Sequence, residues 1–323
     1  MSQGACSPAA RGGFVLLVAL WLLVAISAGA LELTLRAREQ YLFAANALEA
    51  TEARLAAEAG LQHALERLAA RVRAAESLAG TVDRALLQDP WAGADTMFGA
   101  PVPIGRATYR VTLRDTGAAL HLNLASEEQL RAFFIAHGVD FGEADRLAQR
   151  ILDWRDADQA RRPRGAERAD YLARGRVDFP ADRPFERLDE LRGVEGMTSA
   201  LYRRVAPQLT LLGSGRINLH TAPRPVLLTL PGFSEEAVYA LERRRRSGDR
   251  LSSVYELTPD LSPGARAALE AELPRLSGLT TLEVAALEVI SEGIAEGGRR
   301  RARVQALIVP SGGGAQLVWR RVE

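Results

Sequence analysis

Residues Gly12 to Leu31 read GGFVLLVALWLLVAISAGAL, twenty positions without a charge between Arg11 and Glu32. As a helix at 1.5 Å per residue this stretch is about 30 Å long, the thickness of a bilayer's hydrocarbon core. It predicts one membrane crossing. Arg11 favours the amino-terminal end staying inside, although Arg36 and Arg38 flank the other end. A secretory signal peptide would have a shorter apolar region and a small-residue cleavage site. Ala28-Gly29-Ala30 offers such a site, but the helical pattern runs on past it. Cys6, the sole cysteine, precedes the run, so it is not placed for lipid attachment and allows neither an intrachain disulfide nor a thiolate metal cage.

Downstream, Glu32 to Ala79 contains one glycine, Gly60, and no proline, and spaces Leu61, Leu65, Leu68 and Val72 at i, i+4, i+7 and i+11. That spacing predicts an amphipathic helix continuing out of the membrane, with a bend near Gly60. Ala107 to Leu113 then alternates with period two, and the turn signal Asp115-Thr116-Gly117 leads into Ala119 to Leu122, which reads as the second strand of a hairpin. At the other end, Thr280 to Ile290, Arg301 to Val309 and Gln316 to Val322 read as three more strands. The two flanks are expected to form one antiparallel sheet around a mainly helical insert. The implied division is 14–88 for the transmembrane and spine helix, 89–122 and 275–323 for the two parts of the sheet, and 123–274 for the insert. The fold class is α+β.

With 323 residues, 47% hydrophobic and 25% charged, the chain is neither wholly disordered nor a polytopic membrane protein. Its 41 basic residues, all arginine, offset 40 acidic ones for a net charge of +1, so no global field points to nucleic acid. The histidines, His63, His121, His137 and His220, lack ligand spacing.

The insert carries a weak internal repeat: Leu122-Asn123-Leu124-Ala125-Ser126 and Ile217-Asn218-Leu219-His220-Thr221 both precede helical runs, with Ser126 and Thr221 at expected N-caps. Leu230 to Ser234 and Leu191 to Gly196 read as helix-hairpin-helix turns, whose backbone N–H groups can hold a phosphate. Arg243 to Arg246 would suit a DNA backbone, which gives a second reading as a membrane-anchored DNA receptor. Ser234 in place of a turn glycine, Glu195 within a turn and the neutral net charge all weigh against that reading.

Asp153-Trp154-Arg155-Asp156-Ala157-Asp158, followed by Gly165-Ala166-Glu167-Arg168-Ala169-Asp170-Tyr171, clusters carboxylates around an irregular loop. Calcium takes six to eight oxygen ligands in flexible geometry, so such a loop suits it. A solvated acidic loop paired with Arg161, Arg162, Arg164 and Arg168 fits the residues equally. Gly-x-Ser-x-Gly, His-Glu-x-x-His and phosphate-loop patterns are missing from the sequence, so no enzyme is indicated.

A short leader ending in Gly13, followed by Phe14-Val15-Leu16-Leu17 and a long spine helix, resembles the class III signal of type IV pilins and pseudopilins. The resemblance implies that residues 1–13 are removed by a prepilin peptidase and that Phe14 is then methylated, with Gly12 as the alternative site. The family's fifth mature residue is usually glutamate; here it is Val18, a departure shared by the K-type minor pseudopilins of type II secretion systems. The Asp-Trp-x-Asp-x-Asp segment and Ile217 to Pro223 are similar to that family as well. The resemblance implies a pilin-like antiparallel sheet with a large helical insert, and calcium held by Asp156, Asp158, Glu167 and Asp170, although Arg168 and Ala169 make the loop less acidic than usual. It further implies a single-pass inner-membrane protein with a periplasmic body that starts and caps a pseudopilus at its tip. The implied partners are the I- and J-type minor pseudopilins, the major pseudopilin and the peptidase, with no nucleic acid.

Overall fold

The computed structural model describes residues 9–77, 89–177, 179–312 and 314–323. Cys6 and the expected end of the spine helix at Ala79 lie outside them. The first element, α1 (Ala9–Ser77), is one unbroken helix, about 104 Å long at 1.5 Å per residue. In chain order there follow β1 (Val102–Ile104), β2 (Ala107–Asp115), β3 (Leu120–His121), α2 (Glu127–Ala136), α3 (Phe141–Arg155), α4 (Arg168–Leu172), α5 (Ser199–Val205), β4 (Leu209–Thr210) and β5 (Ile217–Asn218). Then come α6 (Arg224–Leu227), α7 (Glu235–Ser247), α8 (Pro263–Leu279), β6 (Thr280–Thr281), β7 (Leu287–Ile294), β8 (Arg301–Ser311) and β9 (Gly314–Val322).

The main sheet has five antiparallel strands in the order β1-β2-β7-β8-β9. Alternation along β2 turns Ala107, Tyr109, Val111 and Leu113 inward, where they meet Leu61, Leu68 and Val72 of α1 together with Val289, Val304 and Ile308. The membrane-proximal half of α1 is different: Phe14, Trp21, Leu31, Tyr41 and Phe43 are all exposed. Gly60 does not interrupt the helix. A Cβ there would strike the side chains of Ser291 and Tyr109, and one at Gly293 would strike the backbone of Ala53 and Ala57. The two glycines allow α1 to lie directly on the sheet.

The hairpin expected between β2 and Ala119–Leu122 does not form. β2 pairs with β1 and β7, while β3 pairs in parallel with β4. The reason is local: Asp115 accepts a hydrogen bond from Gly117 N (2.8 Å) and opens a 3-10 turn that carries the chain out of the sheet. The strand expected at Thr280–Ile290 is likewise two strands, β6 and β7, in different sheets. The last helix of the insert, α8, runs through Pro274 to Leu279, past the expected boundary.

The insert is a duplicated unit. Each copy begins and ends with a short strand, and the two strands pair in parallel: β3 with β4, and β5 with β6. Hydrogen bonds repeat as well, with Leu122 N donating to Thr210 O and Leu219 N to Thr281 O. This sets the register two residues away from the one expected, matching Leu120 to Ile217 and Asn123 to His220. Asn123 exchanges hydrogen bonds with the backbone of Phe185, and His220 Nε2 accepts one from Leu251 N. Ser126 caps α2 as expected, whereas Thr221 is not a cap and donates to Asp115 Oδ2 instead (2.6 Å). That bond, a second from Asn218 Nδ2 (2.7 Å) and the Asp89–Arg250 ion pair fasten the insert to the sheet. Burial pushes the Asp115 carboxyl above the usual range, and its three donors oppose that shift.

Candidate metal centre

The acidic loop hangs from the end of α3. Asp140 caps that helix by accepting from Gly142 N and Glu143 N, and Ala144, Leu147, Ala148, Ile151 and Trp154 form its buried stripe. Trp154 anchors an aromatic floor: its ring stacks on Phe185 at 5.7 Å and meets Phe179 and Tyr171 at 5.1 and 5.9 Å. The neighbouring Asp153 is fully buried. Gly165 passes over its carboxylate so closely that any Cβ would collide with it. From this platform the chain returns through Ala166 to Glu167, which precedes α4.

The fold brings Asp156, Asp158 and Glu167 together, each offering a carboxylate oxygen within 4.8 Å of the others. Asp170, the fourth residue implied by the family resemblance, is engaged elsewhere. Its Oδ2 accepts from Glu167 N (3.0 Å), and its Oδ1 lies 3.2 Å from Arg161 Nη1. The arginine alternative is realised in part, since Arg162 Nη1 lies 2.5 Å from Asp153 Oδ1 and 2.6 Å from Asp156 Oδ2. Arg164 and Arg161 pair instead with Asp145 and Asp170.

Arg162 does not satisfy the cluster. Asp156 Oδ1 and both Glu167 oxygens are buried without a hydrogen-bond partner, although Glu167 is only 4% exposed. Burial, and then the charges of Asp153, Asp156, Asp182 and Asp158, push the Glu167 carboxyl up to about 7. A buried carboxylate with no donor is costly. These orphaned oxygens fit a hard cation, which takes carboxylate oxygens in irregular geometry.

Sequence reading missed Asp182. Its Oδ1 is also buried without a partner, its Oδ2 accepts from Gln159 Nε2 (2.9 Å), and its φ of 50° is left-handed for a non-glycine residue. A lone aspartate before Arg183-Pro184 carries no spacing signal; only the fold directs it toward Glu167.

The hairpin turns are filled by the protein's own groups. A Cβ at Gly232 would strike the backbone of α8, and Arg150 donates to Glu195 O (3.1 Å) across the Gly193–Gly196 turn. In the arginine run, Arg243 and Arg244 pair with Asp260, and Arg245 turns inward. This arrangement disfavours the DNA reading.

Residues 112–214, which contain the whole loop, match the family model for type II secretion system (T2SS), protein K. A curated relative, type II secretion system protein K of Aeromonas hydrophila, is 28% identical over 254 residues, covering 72% of this chain and 74% of its own. The chain is similar to the type II secretion system protein K family. The Pseudomonas aeruginosa protein K is 33% identical over 124 residues, covering 36% of this chain and 37% of its own. Alignments span about a quarter to three-quarters of the length of the curated relatives. One chain in the crystal structure of the GspK-GspI-GspJ complex from enterotoxigenic Escherichia coli shares the fold. Its TM-score is 0.63 at 21% identity, covering 89% of this chain and 99% of that one.

Proposed function

We propose that this chain is a protein K that acts as a minor pseudopilin, starting and capping the periplasmic pseudopilus at its tip and so supporting protein export across the outer membrane. The role is structural rather than catalytic. The observation that carries this reading is the division of α1. Its distal half is buried against the sheet, while Phe14 to Leu48 presents exposed apolar side chains that no other described residue covers. The stretch from Phe14 reaches a mean hydropathy of 2.7, enough for an anchor in the inner membrane. Cleavage after Gly13 followed by methylation of Phe14 would complete the mature end.

The tip position is supported by Val18. In pilin-like filaments the fifth-position glutamate meets the charged amino terminus of the subunit above, because a buried charge needs a partner. Val18 offers no carboxylate, so this chain suits the first position, and its own Phe14 amine remains free to receive glutamate from below. The insert, which leaves and re-enters the sheet between β2 and β7, would obstruct stacking above. The relative's complex names I- and J-type chains, and the same classes, followed by the major pseudopilin, suit this chain's exposed spine.

Calcium, held by Asp156, Asp158 and Glu167 with Asp182 nearby, would supply the positive charge that the buried oxygens lack. Asp170 would support it indirectly, by capping α4.

Co-expression of the full chain with I- and J-type minor pseudopilins tests the assembly, with recovery of all three together as the expected result. Mass spectrometry of the membrane-extracted chain should find a methylated Phe14 terminus. Recovery of the chain at regular intervals along filaments, or a terminus near Leu31, would refute the reading.

A further inference from the structure

We propose that Arg162 is a resident counter-cation of the carboxylate loop: it lets the loop fold before a divalent ion arrives, and it lowers the site's affinity for that ion. This rests on the reading of the loop as a calcium site. Arg162 alone among the loop's described arginines reaches this cluster. Its Nη1 bridges Asp153 Oδ1 and Asp156 Oδ2, and its main-chain N lies 3.3 Å from Asp153 Oδ2. The oxygens left over, Asp156 Oδ1 and the Glu167 pair, are the buried orphans. One face of Asp156 therefore meets the arginine and the other faces the site.

The charge arithmetic gives the direction of the effect. Asp153, Asp156, Asp158 and Glu167 carry four formal negative charges, and Arg162 carries one positive charge. A divalent ion entering the native loop meets a partly neutralised cluster and a guanidinium that repels it. Without Arg162 the ion meets the full negative field, including Asp153, which is sealed beneath Gly165 and has no other ion-pair partner among the described residues. The cation-free loop then suffers most, since removing one partner of a buried pair leaves an uncompensated charge. Arg162 itself remains about one-third exposed, with its side chain at 32%, so it can swing into water.

The test uses the full chain in detergent, as the parent, Arg162→Gln and Arg162→Lys. Each is melted in EDTA and in calcium chloride, and titrated with calcium by calorimetry. In EDTA, Arg162→Gln should melt well below the parent, whereas Arg162→Lys, which keeps a point charge, should stay near it. In calcium, Arg162→Gln should recover most of the loss and bind the ion about tenfold more tightly than the parent, as removal of one nearby positive charge predicts. An equal loss of melting temperature with and without calcium would mark Arg162 as a structural residue only and overturn the inference. Weaker binding by Arg162→Gln would do the same. A parent that binds, with Arg162→Gln binding equally, defeats the role of Arg162 alone. If neither the parent nor the variants respond to calcium, the calcium reading itself fails and the inference fails with it.

Discussion

Arg155 and Arg245 occupy equivalent positions in the two copies of the duplicated unit. Arg155 donates to the carbonyls of Leu122 and Ala125, at 2.5 and 2.7 Å. Arg245 donates to those of Leu219 and Ala222, at 2.5 and 2.7 Å. Each guanidinium closes the turn that follows its unit's first strand. Burial draws both groups down to about 10, so both remain charged at neutral pH. The fork shape matters, because a single ammonium cannot span two carbonyls in a fixed geometry.

Replacing either arginine with methionine should therefore cost about 2–4 kcal/mol, since two buried carbonyls lose charged donors. Lysine should recover only part of the loss. Urea unfolding of the full chain in detergent, followed by circular dichroism, measures both. If Arg155→Lys matched the parent, the paired-carbonyl account would be wrong.

Glu167→Gln should act in opposite directions under two conditions. In EDTA it removes a buried, unpartnered charge among carboxylates and should raise the melting temperature. In calcium it should abolish the gain seen in the parent, because a ligand oxygen and its charge are lost. Asp182→Ala should shrink that gain without abolishing it. Thermal melts with and without the ion, read by circular dichroism, decide the outcome.

Stability should fall as the pH drops below about 6.5, the unfolded histidine value. His220 Nε2 accepts from Leu251 N, so its Nδ1 carries the proton and donates to Leu282 O at 2.8 Å. Burial and the nearby Arg250 lower its pKa, and burial also lowers those of His121 and His137. Below 6.5 the unfolded chain binds more protons than the native one, so the native state loses ground until the depressed folded values are passed. His220→Asn places the residue of the first unit, Asn123, in the second and should flatten part of this slope. Melting between pH 5 and 8 provides the check.

Gly293→Ala should lift α1 from the sheet, because the added methyl meets the backbone of Ala53 and Ala57 rather than a movable side chain. The expected cost is about 1–3 kcal/mol, the range for overpacking. Gly297→Ala, at an open but left-handed turn position, is a control that adds backbone strain without the clash. A loss at Gly293 no larger than at Gly297 would remove the close-approach argument.

Features with long periods were legible in the sequence. α1 announces itself through twenty uncharged residues and the Leu61–Val72 stripe, and β2 through strict alternation. β3 was misread because two fully buried residues in a parallel pair have no alternation to display. The repeat was found, but its register slipped because Asn123 resembles Asn218, while the hydrogen bonds match it to His220. At the loop, Asp156, Asp158 and Glu167 could be named from their motif. Asp182 could not, since its position depends on how the chain wraps around Trp154.

Asp115 and Leu287 are cross-strand partners, and the whole duplicated unit leaves and re-enters the sheet between them. In the plan of the sheet, therefore, β2 and β7 are neighbours in a simple meander, and everything from Thr116 to Ala286 is the tip of one hairpin. Each copy in turn starts and finishes on adjoining parallel strands. A cassette with this geometry can be lengthened, doubled or cut away without moving the strands that carry it. A shortened chain joining Asp115 to Leu287 through a two-residue turn would keep the meander and α1 as a minimal scaffold.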